Sequence, residues 1–209
     1  MAFFLHRSPA VLQWLLSDYT WRIPTDEKKI YLTFDDGPIP HVTEKVMDIL
    51  DSYGATGTFF CIGDNVRKHR DIFNELKKRG HSIGNHTFNH LNGWKTDPRA
   101  YIDNFRRCQD VLETDTCLFR PPYGRIRKAQ YELLPSETRV IMWDVLTGDY
   151  SPSLDPQQAL MKSKKYSRPG TIVVLHDSLK AEKNLTYILP GLLDYFSEQQ
   201  YRFEGLPMQ

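Results

Sequence analysis

The chain of 209 residues has only three cysteines, and its formal net charge is +1, from 27 basic and 26 acidic side chains. Cys61, Cys108 and Cys117 are odd in number and widely spaced, which argues against a disulfide framework and against a cysteine-type zinc site. Cys61, inside Thr58-Phe59-Phe60-Cys61-Ile62, reads as a small buried hydrophobe, and all three read as reduced thiols. The balance of charge, with no long run of either sign, removes the electrostatic case for nucleic acid or an anionic membrane as main partner. A neutral or small substrate is the natural expectation.

Long apolar runs are also missing. Phe3, Phe4 and Leu5 are followed by Arg7, and the stretch from Val11 to Leu16 is interrupted by Gln13. That is too short for a transmembrane segment, and it lacks the continuous core and cleavage site of a secretory signal. The default expectation is a cytoplasmic protein. No repeat, low-complexity tract or linker divides the chain.

What is present is an alternation of strand and helix patterns. After a short amphipathic helix at residues 9–18, packed on the outside, strands are predicted at 30–34, 57–62, 81–84, 116–119, 139–143 and 171–175. Helices are predicted at 42–53, 66–79, 98–112, 156–165 and 182–198, several opened by proline or closed by glycine. Such alternation implies a single α/β domain with a mostly parallel sheet or a barrel, whose functional groups collect at the carboxyl ends of the strands.

Asp35 and Asp36 sit at such an end, where Ile30-Tyr31-Leu32-Thr33-Phe34 breaks into Gly37-Pro38. Asp-Asp-Gly-Pro is good turn chemistry, with glycine supplying a positive φ. It is equally a reaction centre, because two adjacent carboxylates stay ionised cheaply only when a cation or a proton separates them. His86 and His90, four apart, converge from one helical turn or from a tight loop, which suits two imidazoles on one metal or two unrelated surface histidines. Joined to one strand-end Asp they make the three protein ligands of an open divalent-metal site, and the second Asp is then free to take a proton from water. His176 ends the run Thr171-Ile172-Val173-Val174-Leu175 and either caps the following turn or donates a proton to a leaving group. In Phe119-Arg120-Pro121-Pro122-Tyr123-Gly124 the prolines stiffen the loop, so the Tyr123 N–H could serve an oxyanion, while Arg120 could hold a carboxylate. Trp94, Tyr150 and Trp143 could offer a face for sugar stacking, although Trp143 at a strand end is read as core.

These segments resemble, in order, the motifs of the polysaccharide deacetylases, the NodB-homology domains or family 4 carbohydrate esterases. Thr33-Phe34-Asp35-Asp36-Gly37-Pro38, His86-Thr87-Phe88-Asn89-His90, Arg120-Pro121-Pro122-Tyr123 and Val174-Leu175-His176 carry the likeness. The fourth motif is weaker: Leu146-Thr147-Gly148-Asp149-Tyr150 keeps only the second Asp of the usual pair, with Tyr for Trp. The resemblance spans residues 28–206 and leaves 1–27 as an N-terminal extension. It implies a distorted (β/α) barrel and metal-dependent removal of N-acetyl or O-acetyl groups from an N-acetylated sugar oligomer, polymer or precursor. Carried over, Asp36, His86 and His90 would bind the metal, zinc first and cobalt or others accepted. Asp35 would be the general base, His176 the general acid, Arg120 the group positioning Asp35, Tyr123 the oxyanion donor and a substrate contact, and Asp149 the partner of His176. A catalytically dead binding domain on the same fold would require the loss of one of these residues, and all are present.

Overall fold

The computed structural model describes residues 5–208; Phe3 and Phe4 lie outside the described residues. The strands are β1 (Lys29–Asp35), β2 (Thr58–Cys61), β3 (Ser82–Asn85), β4 (Leu118–Phe119), β5 (Arg139–Val140), β6 (Val145–Leu146), β7 (Ile172–His176) and β8 (Arg202–Phe203). They form one sheet in the order β5-β4-β3-β2-β1-β7-β6, with β8 beside β1 and every ladder parallel. Parallel neighbours need crossovers, and helices such as α2 (Val42–Ser52), α5 (Pro98–Leu112), α7 (Pro156–Tyr166) and α8 (Glu182–Ser197) supply them. The outcome is a curled half-barrel, the distorted barrel expected.

Alternation along β1 aims the site. Ile30, Leu32 and Phe34 pack outward with Val46 and Leu50 of α2 and Leu185 and Leu189 of α8, while Tyr31 packs inward with Phe60, Ile141 and Ile172. Burying each such side chain contributes about 1.5–3 kcal/mol, so a one-residue slip of register is prohibitive. With a period of two, Thr33 and Asp35 follow Tyr31 toward the interior. β1 pairs with β7 so that Asp35 lies opposite His176, bringing two of the expected site residues side by side.

β5 and β6 are consecutive but do not pair, and the N-terminal segment covers the seam between them. Thr20 N–H donates to the Val140 carbonyl and Met142 N–H to Thr20, while Ser8 N–H donates to Asp144 and Leu146 N–H to His6. The helix within this segment, α1 (Ala10–Leu15), is shorter than expected and buries none of its residues, so backbone bonds on either side of it attach the extension. The helix expected over 66–79 is two: α3 (Gly63–Lys68) and α4 (Arg70–Lys78), broken at His69, where φ is −126° and ψ 51°. α3 starts early because the Gly63 and Asp64 N–H groups donate to Thr87 and Phe88, docking its first turn on the histidine loop. α6 (Lys128–Tyr131), β6 and β8 are too short to show a period in sequence. Among the described residues no helix is long and apolar enough to cross a membrane.

Candidate active site

At the end of β1 the two carboxylates part company. Asp35 is buried and accepts a hydrogen bond from Arg120 Nη1 at 2.7 Å; Arg120, wholly buried, also donates to Thr33 Oγ1, Ile141 O and Met142 O and packs its guanidinium on Phe60. Burial alone would raise the Asp35 pKa, but the charge of Arg120 above all, with that of His176 and the Arg120 hydrogen bond, holds it below the ordinary carboxylate value. Asp36 turns the other way, with φ of 87°, and Asn65 Nδ2 donates to its carbonyl. Glycine was expected to supply the positive φ of this turn; Asp36 takes it instead. Gly37 is required for space, since a Cβ there would lie 1.9 Å from Asp177 Oδ2.

Asp177 is a site residue to which sequence reasoning assigned no role. Fully buried, it accepts from the Gly37 N–H and the Thr43 hydroxyl, and its own N–H donates to the Asp35 carbonyl. It thus fastens the carboxylate turn to β7 and α2. Burial, opposed by the Thr43 hydrogen bond, pushes its carboxyl up to about 8. Its adjacency to His176 is the one sequence signal that could have found it.

His86 and His90 come from a tight loop, not a helical turn, with Thr87 at φ 61° and His90 at φ 55°. Asn85 Oδ1 accepts the Thr87 N–H, and Asn104 Oδ1 accepts those of Phe88 and Asn89, so side chains replace the missing helical bonds. His86 Nδ1 lies 2.7 Å from the Arg120 carbonyl, which leaves Nε2 as the ring's free lone pair. The His90 and His86 Nε2 atoms lie 3.3 and 3.8 Å from Asp36 Oδ1, and the three prospective ligand atoms are all within 4.8 Å of one another. Asp36 Oδ1 is buried without a hydrogen-bond partner, a costly state that a cation would relieve. Desolvation lowers the pKa of both imidazoles, that of His90 to about 4, keeping them neutral as ligation requires. The donor set fits a divalent metal.

Opposite stands His176. Its Nδ1 bonds Asp149 Oδ1 at 2.8 Å and its N–H donates to Asp149 Oδ2, so Nε2 is the nitrogen left for a substrate. Burial would lower its pKa, but Asp149, by charge and hydrogen bond, with help from Asp35 and Asp36, raises it to about 9. The Tyr150 ring meets the imidazole edge-on at 4.8 Å. Tyr123 lies against His90 at 4.7 Å, with φ of 62°, and its N–H has no acceptor among the described residues. Among the described residues, four of the seven non-glycine residues with positive φ, Asp36, Thr87, His90 and Tyr123, therefore cluster here, as strained backbone does at functional sites.

Asp35, Asp36, His86, His90, Tyr123, Tyr150 and His176 line one cavity of about 370 Å³. Arg120 and Asp149 stand behind it, each holding a lining residue. Trp94 does not line it; 57% exposed, it carries the Arg125 guanidinium on its ring at 4.9 Å. Trp143, read as core, packs on the interior cluster and also forms cavity wall, as do Arg125 and Lys180.

A curled parallel sheet with two carboxylates and three imidazoles gathered at its carboxyl edge has the build of a hydrolytic α/β barrel. The chain belongs to the polysaccharide deacetylase family, whose profile matches residues 22–135. It is 32% identical over 191 residues to a peptidoglycan-N-acetylglucosamine deacetylase of Bacillus cereus, covering 88% of this chain and 89% of that one. A chitooligosaccharide deacetylase of Rhizobium leguminosarum is 29% identical over 177 residues, covering 81% of each chain. Among solved structures, a peptidoglycan N-acetylglucosamine deacetylase in complex with 4-naphthalen-1-yl-N-oxidanyl-benzamide superposes with a TM-score of 0.85 at 26% identity, over 96% of this chain and 95% of that one. The protein is a carbohydrate deacetylase, a hydrolase of the carbon–nitrogen bond of N-acetyl groups.

Proposed function

We propose that this chain is a metal-dependent N-deacetylase of N-acetylglucosamine-containing glycans, with Asp36, His86 and His90 holding the metal, zinc by preference. The observation that carries the reading is the orphaned Asp36 Oδ1 between two neutral imidazoles, flanked by a carboxylate kept ionised and an imidazole kept protonated. The relatives named for peptidoglycan and chitooligosaccharide deacetylation support the substrate class.

A bound divalent cation supplies Lewis acidity, polarising the acetyl carbonyl and acidifying water beside it. Asp35, ionised and held by Arg120, takes the proton of the attacking water. The Tyr123 N–H donates to the developing oxyanion. His176 gives the Nε2 proton to the departing nitrogen, with Asp149 fixing the ring and steadying the imidazolium. An amine leaves from the tetrahedral centre only when protonated, and an imidazolium raised to about 9 is charged at neutral pH, which favours N-acetyl over O-acetyl substrates.

The reading is tested by acetate release from chitooligosaccharides, peptidoglycan fragments and acetylated xylan, by protein stripped with chelator and reloaded with zinc or cobalt. Release from the N-acetylated sugars that is lost on stripping and restored on reloading is expected; full release by stripped protein would refute it. A second expectation concerns pH. Asp149 stabilises the protonated imidazole, so Asp149→Asn lowers the His176 pKa and shifts the alkaline limb of kcat to lower pH, costing about 10-fold or more above neutrality. An alkaline limb that stays in place would assign it to another group.

A further inference from the structure

The cavity holds two charges that the chemistry above leaves unused. Arg125 follows Tyr123-Gly124 on the His90 side, and Lys180 follows His176 by four residues on the Tyr150 side. Each rests on an aromatic ring, Arg125 over Trp94 at 4.9 Å and Lys180 over Tyr150 at 5.2 Å. Neither has a carboxylate partner among the described residues: Asp35 and Asp149 are engaged with Arg120 and His176, and Asp36 faces the two neutral imidazoles with which it would share a metal.

Two cations on the wall of one cavity favour an incoming anion, whose oxygens accept charge-assisted hydrogen bonds roughly twice as strong as those between neutral groups. A neutral glycan offers only hydroxyl and amide acceptors. The ring contacts hold both heads near the cavity without consuming their hydrogen-bond donors, and a guanidinium matches a carboxylate in two parallel bonds.

Resting on the deacetylase reading, we propose that Arg125 and Lys180 form an anion subsite, selecting glycans in which the sugars next to the reacting acetamido sugar carry carboxylates. The lactyl ether carboxylate of an N-acetylmuramyl unit is the fitting group. The near-neutral balance of the whole chain, which pointed to a neutral substrate, therefore does not describe the cavity. Trp94 then acts through Arg125, as a support for the guanidinium and not as a stacking face within the cavity.

The test measures kcat/KM of zinc-loaded protein on three probes: a peptidoglycan tetrasaccharide with free lactyl carboxylates, the same tetrasaccharide with those groups amidated, and neutral chitotetraose. Wild type is expected to prefer the free acid over the amide by about 10-fold or more at low salt, with the preference shrinking as ionic strength rises. In Arg125→Gln/Lys180→Gln the ratio should fall to about one. A wild-type ratio near one, or an equal ratio in wild type and variant, overturns the subsite while acetate release from chitotetraose leaves the deacetylase reading standing. No acetate from any probe overturns the deacetylase reading itself. Uridine-diphospho-N-acetylglucosamine is a fourth arm; a preference for it above all three glycans would assign the cations to a phosphate and overturn the proposal.

Discussion

Asp35→Asn is expected to lower kcat by about 10²–10⁴-fold, the range general-base catalysis contributes, with KM little changed. The amide fills the same volume and can still accept from Arg120 Nη1, so β1 and its ladder with β7 remain as they are. What vanishes is the proton acceptor. Arg120 maintains that acceptor: with the Asp35 pKa held below its ordinary 3.8, the carboxylate is ionised through the neutral range. Steady-state kinetics on an N-acetylated chitooligosaccharide measures the loss, and a variant within a few-fold of wild type would remove Asp35 as base.

The second large effect is on stability. Arg120→Met keeps the length and the packing on Phe60 but removes hydrogen bonds to Asp35, Thr33, Ile141 and Met142. Asp35 becomes a buried carboxylate that has lost its hydrogen-bonded counter-ion, which costs about 3–5 kcal/mol. The sign of the pH dependence follows from linkage. In wild type the lowered Asp35 pKa contributes stability above the unfolded value, lost as pH falls through the folded value; in the variant the folded pKa is raised, so the deficit grows as pH climbs above about 4. Denaturant unfolding at pH 4.5 and 7.5 should show the larger loss at 7.5. Adding Asp35→Asn to Arg120→Met should recover part of it, because the charge left stranded is gone. Equal losses at both pH values, with no recovery in the double variant, would show that Arg120 acts through its bonds to Thr33, Ile141 and Met142 and not through the charge of Asp35.

Legibility in the sequence followed the distance over which each feature is encoded. Asp35-Asp36 and His176 stand next to runs of β-branched and aromatic residues, so their positions at strand ends could be read directly, and α5 was legible to the residue because Asp97 caps it and Pro98 opens it. The His86–His90 spacing left helix and loop both open, because the side chains that decide it, Asn85 and Asn104, include one on a different element. The break at His69 and the seam covered by residues 6–20 depend on where distant backbone finds partners, which local periodicity does not report. Asp177, Arg125 and Lys180 escaped for a related reason: each is a single charged residue outside any motif, significant only because folding brings it to the carboxylate turn or the cavity wall. Trp143 was read from its strand position alone, and the curl of the sheet gives it a second, cavity-facing surface.

The central claim is that two adjacent aspartates have separate tasks, Asp36 toward the metal and Asp35 toward the proton. Metal content of Asp35→Asn and Asp36→Ala, each stripped, reloaded with zinc and gel-filtered, tests it most directly. The account predicts one equivalent retained by Asp35→Asn and almost none by Asp36→Ala; full occupancy in Asp36→Ala, or loss in Asp35→Asn alone, would contradict it.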